Sequence, residues 1–337
     1  MKRLLGLLLV MGMVGCGGGD TSSLPKAEKS PIAATPDLPP AYRALQKIPN
    51  TRIDLSAEGE IEVVSLTSNR ATDETLQLLD GLTHLKNLKL GSNQITDAGL
   101  VHLVELPNLH SLSLQYTQVT DAGLVHLKGL TNLQDLILNA TQVTDAGLVH
   151  LKGLTNLDTI GLGGTKVTDA GLVHLKGLTK LRTLFLDSTQ VTDVGLVQLE
   201  RLNLNGLSIP DQAQTDTGLQ HYLAAIETCK TLSLTNWKIT DAGLVYLKGL
   251  KDLRVLRLGD TQVTDAGLVN LKDLTKLQWI TLNRTKVTDA GLVHLKGLTK
   301  LRTLFLDSTQ VTDAGIADLQ KALPKCKIWK PNGKLHK

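Results

Sequence analysis

Residues 167–193 read VTDAGLVHLKGLTKLRTLFLDSTQVTD, and the same letters return at residues 287–313. The two copies lie 120 residues apart, which is five steps of 24. Looser copies fill the space between and before them, so that the Asp of a Thr-Asp pair recurs from Asp73 to Asp313. A fixed period in this range is the signature of a solenoid. A 24-residue unit is too small to bury a core alone, so the units stack into one elongated body. That overrides the two-domain prior that 337 residues would otherwise carry.

The repeat also explains the charge. Most units bring one Asp in Thr-Asp and one Lys in Leu-Lys-Gly, so the formal net charge of +4 is spread along the chain. There is no clustered basic footprint of the kind that binds nucleic acid. Aromatic residues make up only 3% of the chain, so an aromatic on an exposed strand position stands out.

The regular unit is clearest from Leu109. Leu109, Leu112, Leu114 and Val119 give LxxLxLxxTxV, which resembles the leucine-rich repeat family over about residues 61–328. The resemblance implies an α/β fold, a curved horseshoe with parallel strands on the concave side and short helices on the convex side. The residues carry the same reading. Leu112 and Leu114 alternate as a half-buried strand, and Val119 turns inward. Thr120 is placed to cap a helix and Asp121 suits its positive start. Leu124, Leu127 and Leu130 face the strand, Lys128 complements the helix end, and Gly129 is read as the stop. Gly123, which recurs in ten units from Gly99 to Gly315, is read as letting the helix approach the sheet closely. Thr117 and its equivalents stand where many leucine-rich repeats carry Asn or Cys; their hydroxyls are expected to bond the turn and the neighbouring unit. Asn69 and Asn93 keep the Asn form. Strands stack about 4.8 Å apart and helices roughly 8–10 Å apart, which bends such a stack into an arc.

The ends differ from the repeats. Met1-Lys2-Arg3 is a basic start, and the apolar run 4–14 falls far below the roughly 20 residues of a spanning helix. This is the shape of an export signal. The run ends in Met13-Val14-Gly15-Cys16, which resembles the bacterial lipoprotein signal, with Met13 where Leu is usual. The resemblance implies cleavage over residues 1–16, a lipid on Cys16 and a membrane-anchored place in the cell envelope, periplasmic or cell-surface; plain secretory cleavage is the simpler alternative. Residues 17–40, rich in Gly, Ser, Pro, Ala and Lys, read as a disordered tether spanning roughly 27 Å r.m.s.. Residues 41–60 read as an N-terminal cap in which a short helix precedes a hairpin with residues 61–66. Repeats follow over 61–322, and a capping strand with a basic tail over 323–337. One unit breaks the rhythm: 23 residues separate Asp193 from Asp216 and 25 separate Asp216 from Asp241. Pro210 follows its strand, Gln214 replaces the inward Val, and a kink or bulge is expected there. Trp237, on the Thr position beside it, is read as filler for a packing gap. Cys229 and Cys326 fall on core positions of well-separated repeats, too far apart for a disulfide.

No catalytic pattern is present: no GxSxG, HExxH, CxxC or P-loop. No catalytic residue, metal site or cofactor is assigned. His102, His126, His150 and His174 form a column spaced by 24, with His294 further on, and are read as solvated because a single column across helices roughly 8–10 Å apart does not converge on one ion. Variation concentrates on outward strand positions. Arg257, Trp279, Arg284 and Phe305 fall on three adjacent units and one face, with Tyr116 and Phe185 on earlier units. Aromatics and Arg dominate protein interfaces, so these residues are the candidate ligand-binding set. The expectation is a non-enzymatic scaffold that binds a protein. The alternatives are a polysaccharide or cell-wall ligand, a mechanical spacer, and a substrate adaptor, since the TDAGL helices resemble those of F-box ubiquitin-ligase proteins although no F-box segment is seen.

Overall fold

Leucine spacing sets the architecture. In the unit from Leu109, the side chains of Leu109, Leu112, Leu114, Val119, Leu124 and Leu127 are all fully buried, so strand, turn and helix each turn one edge to the same core. The structure, a computed structural model, describes residues 39–330 except 68, 69, 93 and 228. The export signal with Cys16, most of the tether, Asn69, Asn93 and the end of the basic tail lie outside the described residues. All described residues belong to one compact unit, Ile32–Lys337.

Among the described residues there are thirteen short strands: β1 Thr51–Leu55, β2 Ile61–Leu66, β3 Asn87–Leu90, β4 Ser111–Ser113, β5 Asp135–Ile137, β6 Thr159–Gly161 and β7 Thr183–Phe185, then β8 Gly206–Ser208, β9 Thr231–Ser233, β10 Val255–Arg257, β11 Trp279–Thr281, β12 Thr303–Phe305 and β13 Lys327–Trp329. β1 and β2 pair antiparallel as the hairpin read from the sequence, preceded by the helix Pro40–Gln46. From β2 onward neighbours pair in parallel, and in regular units the register is the repeat length, as in Leu112 opposite Leu136. β13 closes the series as a parallel partner of β12.

The helices are shorter and tighter than expected. A typical unit makes one α-turn, such as Asp145–Leu148, and then a 3-10 turn, Val149–Leu151. Leucines spaced by three match the three residues per turn of a 3-10 helix. The Thr cap is present: Thr144 accepts from the Ala146 N–H at 3.3 Å. Gly129 is not the stop. The 3-10 turn ends at Leu127, and the space around Gly129 is open. The ladder Thr also bonds more locally than expected, donating to the carbonyl three residues earlier in its own turn, as from Thr117 to Leu114 at 2.7 Å.

The glycine of Asp-Ala-Gly-Leu has a different partner from the sheet. The carboxylate of Asp121 accepts from the backbone N–H of Thr144 in the next unit at 2.7 Å and from its hydroxyl at 2.6 Å. The same clasp links Asp73 to Thr96, Asp97 to Thr120, and so on to Asp289 and Thr312, except that Asp193 accepts from the Thr215 hydroxyl and not from its N–H. A Cβ on Gly147 would fall on the Asp121 carboxylate oxygen, and the equivalent glycines meet the equivalent carboxylates, except Gly218, which faces the Ala213 carbonyl. The glycine is needed because the preceding unit's Asp occupies the place of its side chain.

The rhythm breaks between β8 and β9. The parallel sheet stops at β8 and a second begins at β9, with isolated bridges Leu204–Ile226 and Thr215–Lys238 joining the two units. The buried side chains separate into two clusters at the same place, and Tyr222 and Trp237 pack against both. Their rings meet edge to face at 5.6 Å, and burial, with a smaller push from Cys229, raises the Tyr222 hydroxyl to about 12. Ala213, rather than Gln214, supplies the inward residue. Gln214 is half-buried and donates its side-chain amide to the Ile209 carbonyl at 3.2 Å. The helix that follows, Asp216–Ala225, has ten residues.

Two glycine substitutions separate packing from propensity. Gly147→Ala displaces the Asp121 carboxylate and is expected to destabilise the protein by about 2–4 kcal/mol. Gly153→Ala, in open space, is expected to change stability by less than about 0.5 kcal/mol. Urea unfolding of the two variants beside the parent measures the difference.

Candidate functional site

In each three-residue strand the middle residue points into the core and its two neighbours point out, since successive side chains alternate between faces. Trp279 and Thr281 therefore share the outer face with Thr303, Phe305, Lys327 and Trp329. Registered pairing places Trp279 opposite Thr303 and Thr281 opposite Phe305, and Phe305 opposite Trp329. The Trp279 and Phe305 rings meet with centroids 5.1 Å apart and planes tilted by 38°. Phe305 and Trp329 stack at 5.6 Å with an interplanar angle of 6°. The result is a row of three aromatic rings across three adjacent strands. Trp279 stays 37% exposed within it.

Trp329 is the member that the sequence pattern did not single out. It lies beyond the last full repeat, and its place beside Phe305 depends on β13 adding to the sheet. Its signal was available: an aromatic directly after the inward Ile328 repeats the outward strand position of Phe305 after Leu304.

Arg257 lies on β10, exposed, with Thr281 and Ser233 as its lateral neighbours. Arg284 lies in the turn after β11. It is clasped by Asp260 of the preceding unit, with Nε donating to Oδ1 at 2.5 Å and Nη2 to Oδ2 at 2.6 Å. That side-chain hydrogen bond holds the Asp260 carboxyl below the usual carboxylate range, against a smaller opposing effect of burial. The same contact raises the guanidinium pKa of Arg284. Both residues adopt left-handed backbone, with φ of 60° at Asp260 and 54° at Arg284, so the turn itself sets the direction in which these two side chains leave the chain.

Of the six residues expected to form a binding set, the structure brings Trp279 and Phe305 into contact and places Arg257 and Arg284 on the flanking unit and turn. Tyr116 and Phe185 stand apart on the first sheet. Tyr116 is 64% exposed at another left-handed turn position, and Phe185 ends β7.

The histidine column is less solvated than the sequence reading holds. All five are half-buried. His102 Nδ1 lies 2.9 Å from Asp80 Oδ1. His150 Nδ1 is buried without a partner, and burial, then the Lys128 charge, lowers the His150 pKa. Among the described residues no group of three or more His, Cys, Asp or Glu is placed to hold a metal ion. Cys229 is half-buried and Cys326 buried, and they do not form a disulfide. Burial pushes the Cys326 thiol up to about 11.

The stacked parallel strands, with short helical turns between them, agree with known proteins. A leucine-rich repeat family model matches residues 81–104, 105–127 and 250–272. The fold is a leucine-rich repeat solenoid. An internalin (inlF) from Listeria monocytogenes is similar over 86% of this chain and 92% of its own, with 23% identity and a TM-score of 0.56. A leucine-rich repeat protein from Leptospira interrogans is similar over 78% of this chain and 81% of its own, with 19% identity and a TM-score of 0.50. At these identities the likeness concerns the fold alone. No curated protein matches the chain by sequence. No helix among the described residues is long and apolar enough to cross a membrane.

The Asp260–Arg284 clasp has a measurable signature. A carboxyl depressed in the folded state contributes stability above its ordinary range and loses it as pH falls through the depressed value. The pair is exposed, so its share of global stability is small and is best read locally. The Asp260 carboxyl carbon is expected to titrate by NMR below an ordinary Asp, and Arg284→Ala should return it to the ordinary range.

Proposed function

We propose that this leucine-rich repeat solenoid is a non-enzymatic recognition scaffold that binds a protein on the strand face of its second sheet. The observation that carries the reading is the row Trp279–Phe305–Trp329. Three large rings share an exposed sheet face in a chain with only 3% aromatic residues. Buried aromatics and arginines carry most of the energy of protein interfaces, and Arg257 and Arg284 flank the row. A solenoid presents a broad surface rather than a deep pocket, which suits a macromolecule better than a metabolite. Tyr116 and Phe185 belong to the same kind of surface on the first sheet and serve, in this reading, as outlying contacts.

The way the rings pack weighs against the polysaccharide alternative. Sugars stack on open ring faces. Phe305 lies between Trp279 and Trp329, and the stacked pair uses the inner face of Trp329 as well. Phe305 thus has a ring neighbour on each side, and the row reads as a ridge suited to apolar side chains.

The reading includes export and a lipid on Cys16, which would place the scaffold at a membrane of the cell envelope. Its support is the sequence of residues 1–16, and the Listeria internalin shows that such a fold occurs in a bacterial protein.

Two experiments test these points. The parent chain should capture a discrete protein from an extract of its own cell envelope. The triple substitution of Arg257, Trp279 and Phe305 by Ala should lower that capture at least tenfold while leaving the circular dichroism spectrum unchanged. Equal capture by the two chains removes the site. Separately, metabolic labelling with a fatty acid should mark the parent and fail to mark Cys16→Ser; an unlabelled parent points to plain secretion.

A further inference from the structure

The irregular unit is one residue short at a definable place. Leu199, Glu200, Arg201 and Leu202 correspond to Leu175, Lys176, Gly177 and Leu178 of the preceding unit, and Leu204 corresponds to Leu181. Asn203 alone therefore stands where Thr179 and Lys180 stand. To close the shortened turn, Arg201 takes φ 70° and Asn203 takes φ 54°, left-handed values that L side chains adopt at a penalty of roughly 1–2 kcal/mol each. The missing residue leaves a cavity of about 590 Å³ between the two turns, lined by Lys176, Thr179, Arg182, Glu200, Arg201 and Asn203 among others.

The charges in this cavity do not cancel internally. Lys176, Arg182 and Arg201 bring three cations. Glu200 is the one carboxylate in the lining, and it is turned to His221, whose Nδ1 lies 2.8 Å from its Oε1. Lys180, which could have filled the gap, instead donates to Asn156 Oδ1 at 2.6 Å on the unit before. Among the described residues none of the three cations forms an ion pair. Most regular units carry Gly in place of Arg201, and two carry an acid there, Glu105 and Asp273; none carries a cation.

We infer that this cavity is a binding site for a phosphoryl group, taken either from a free phosphate compound or from a phosphorylated side chain of a partner. Arg forks match tetrahedral oxyanions with paired N–H donors, and a doubly charged anion balances the surplus of cations better than a single carboxylate does. The volume lies within the ordinary range for small-ligand sites. The site is separate from the aromatic row, which lies on the second sheet.

The test uses the full chain, with inorganic pyrophosphate and a phosphoserine peptide as probes, and follows backbone amide shifts by NMR. Saturable shifts are expected at Thr179 and at residues 201–203, weakening as salt rises. Arg182→Ala and Arg201→Gly should each weaken binding about tenfold. Arg201→Gly restores the glycine of the regular units and suits the left-handed backbone, so it removes the charge without threatening the fold. Lys152→Ala, the position of Lys176 in a regular unit, should leave binding unchanged. Binding of pyrophosphate alone assigns a free compound, and tighter binding of the peptide than of pyrophosphate assigns a partner's side chain. No saturable shift with either probe overturns the inference, as does an affinity in both arginine variants equal to that of the parent.

Discussion

The stack depends on one contact repeated along it: the Asp carboxylate of one unit held by the backbone N–H and hydroxyl of a Thr in the next. Hydrophobic burial alone would let units slide, because a leucine wall is smooth on the scale of one strand. The clasp is directional. It fixes the start of each helical turn against its neighbour at one register, and it needs a glycine at the third residue of the turn to leave room for the oxygen. Hydrogen bonds to a charged acceptor contribute about 1.5–3 kcal/mol each when well formed. The Thr that receives the clasp also caps its own helix, as Thr144 does for Ala146, so capping and stacking are coupled in one side chain.

The irregular unit shows what happens where this contact is weakened. Asp193 still accepts from the Thr215 hydroxyl at 2.6 Å. The Thr215 N–H, however, turns to the Ala213 carbonyl at 3.0 Å. At the same place the sheet divides and the core separates into two clusters. From Asp216 to Thr240 both bonds return, and the second sheet runs to the end of the described chain. Nearest-neighbour coupling is what holds a solenoid together, so loss of one bond of the clasp, of the ladder and of core continuity at one unit describes a single local event. Tyr222 and Trp237 fill the space it opens, which accords with the sequence reading of Trp237 as a filler.

The period made the fold legible. Leucine and valine positions, the hairpin, the closing strand and the broken unit are all visible as spacing, because burial follows period. What was not legible depends on atoms from two units at once. The Asp-Ala-Gly-Leu glycine reads as a close approach, but only the stacked structure shows that the approach is to a carboxylate 26 residues earlier. Gly129 reads as a helix stop by residue type, yet the 3-10 turn of its unit already ends at Leu127. The histidines read as exposed because one unit viewed alone exposes them. In the candidate site, Trp279 and Phe305 were visible as outward aromatics. Trp329 was hidden by its place past the last repeat, and the cavity beside Arg201 by the fact that a missing residue leaves no letter behind.

The two surface features differ in how they arose, and that bears on what each can do. The aromatic row is built on strands whose register is set by the ladder, so its rings are held by backbone hydrogen bonds and by one another. Such a surface is pre-organised, and little side-chain entropy is lost when a partner covers it. Phe305 lies in the duplicated segment, and its counterpart Phe185 has the same letters around it. Opposite Phe185 stands Ser208, whereas opposite Phe305 stands Trp329. The same phenylalanine is therefore isolated in one copy and the centre of a packed row in the other. An aromatic that is only inherited with its repeat would show no dependence on neighbours that lie outside the repeat, and the row is made by Trp279 and Trp329, neither of which belongs to the duplicated letters.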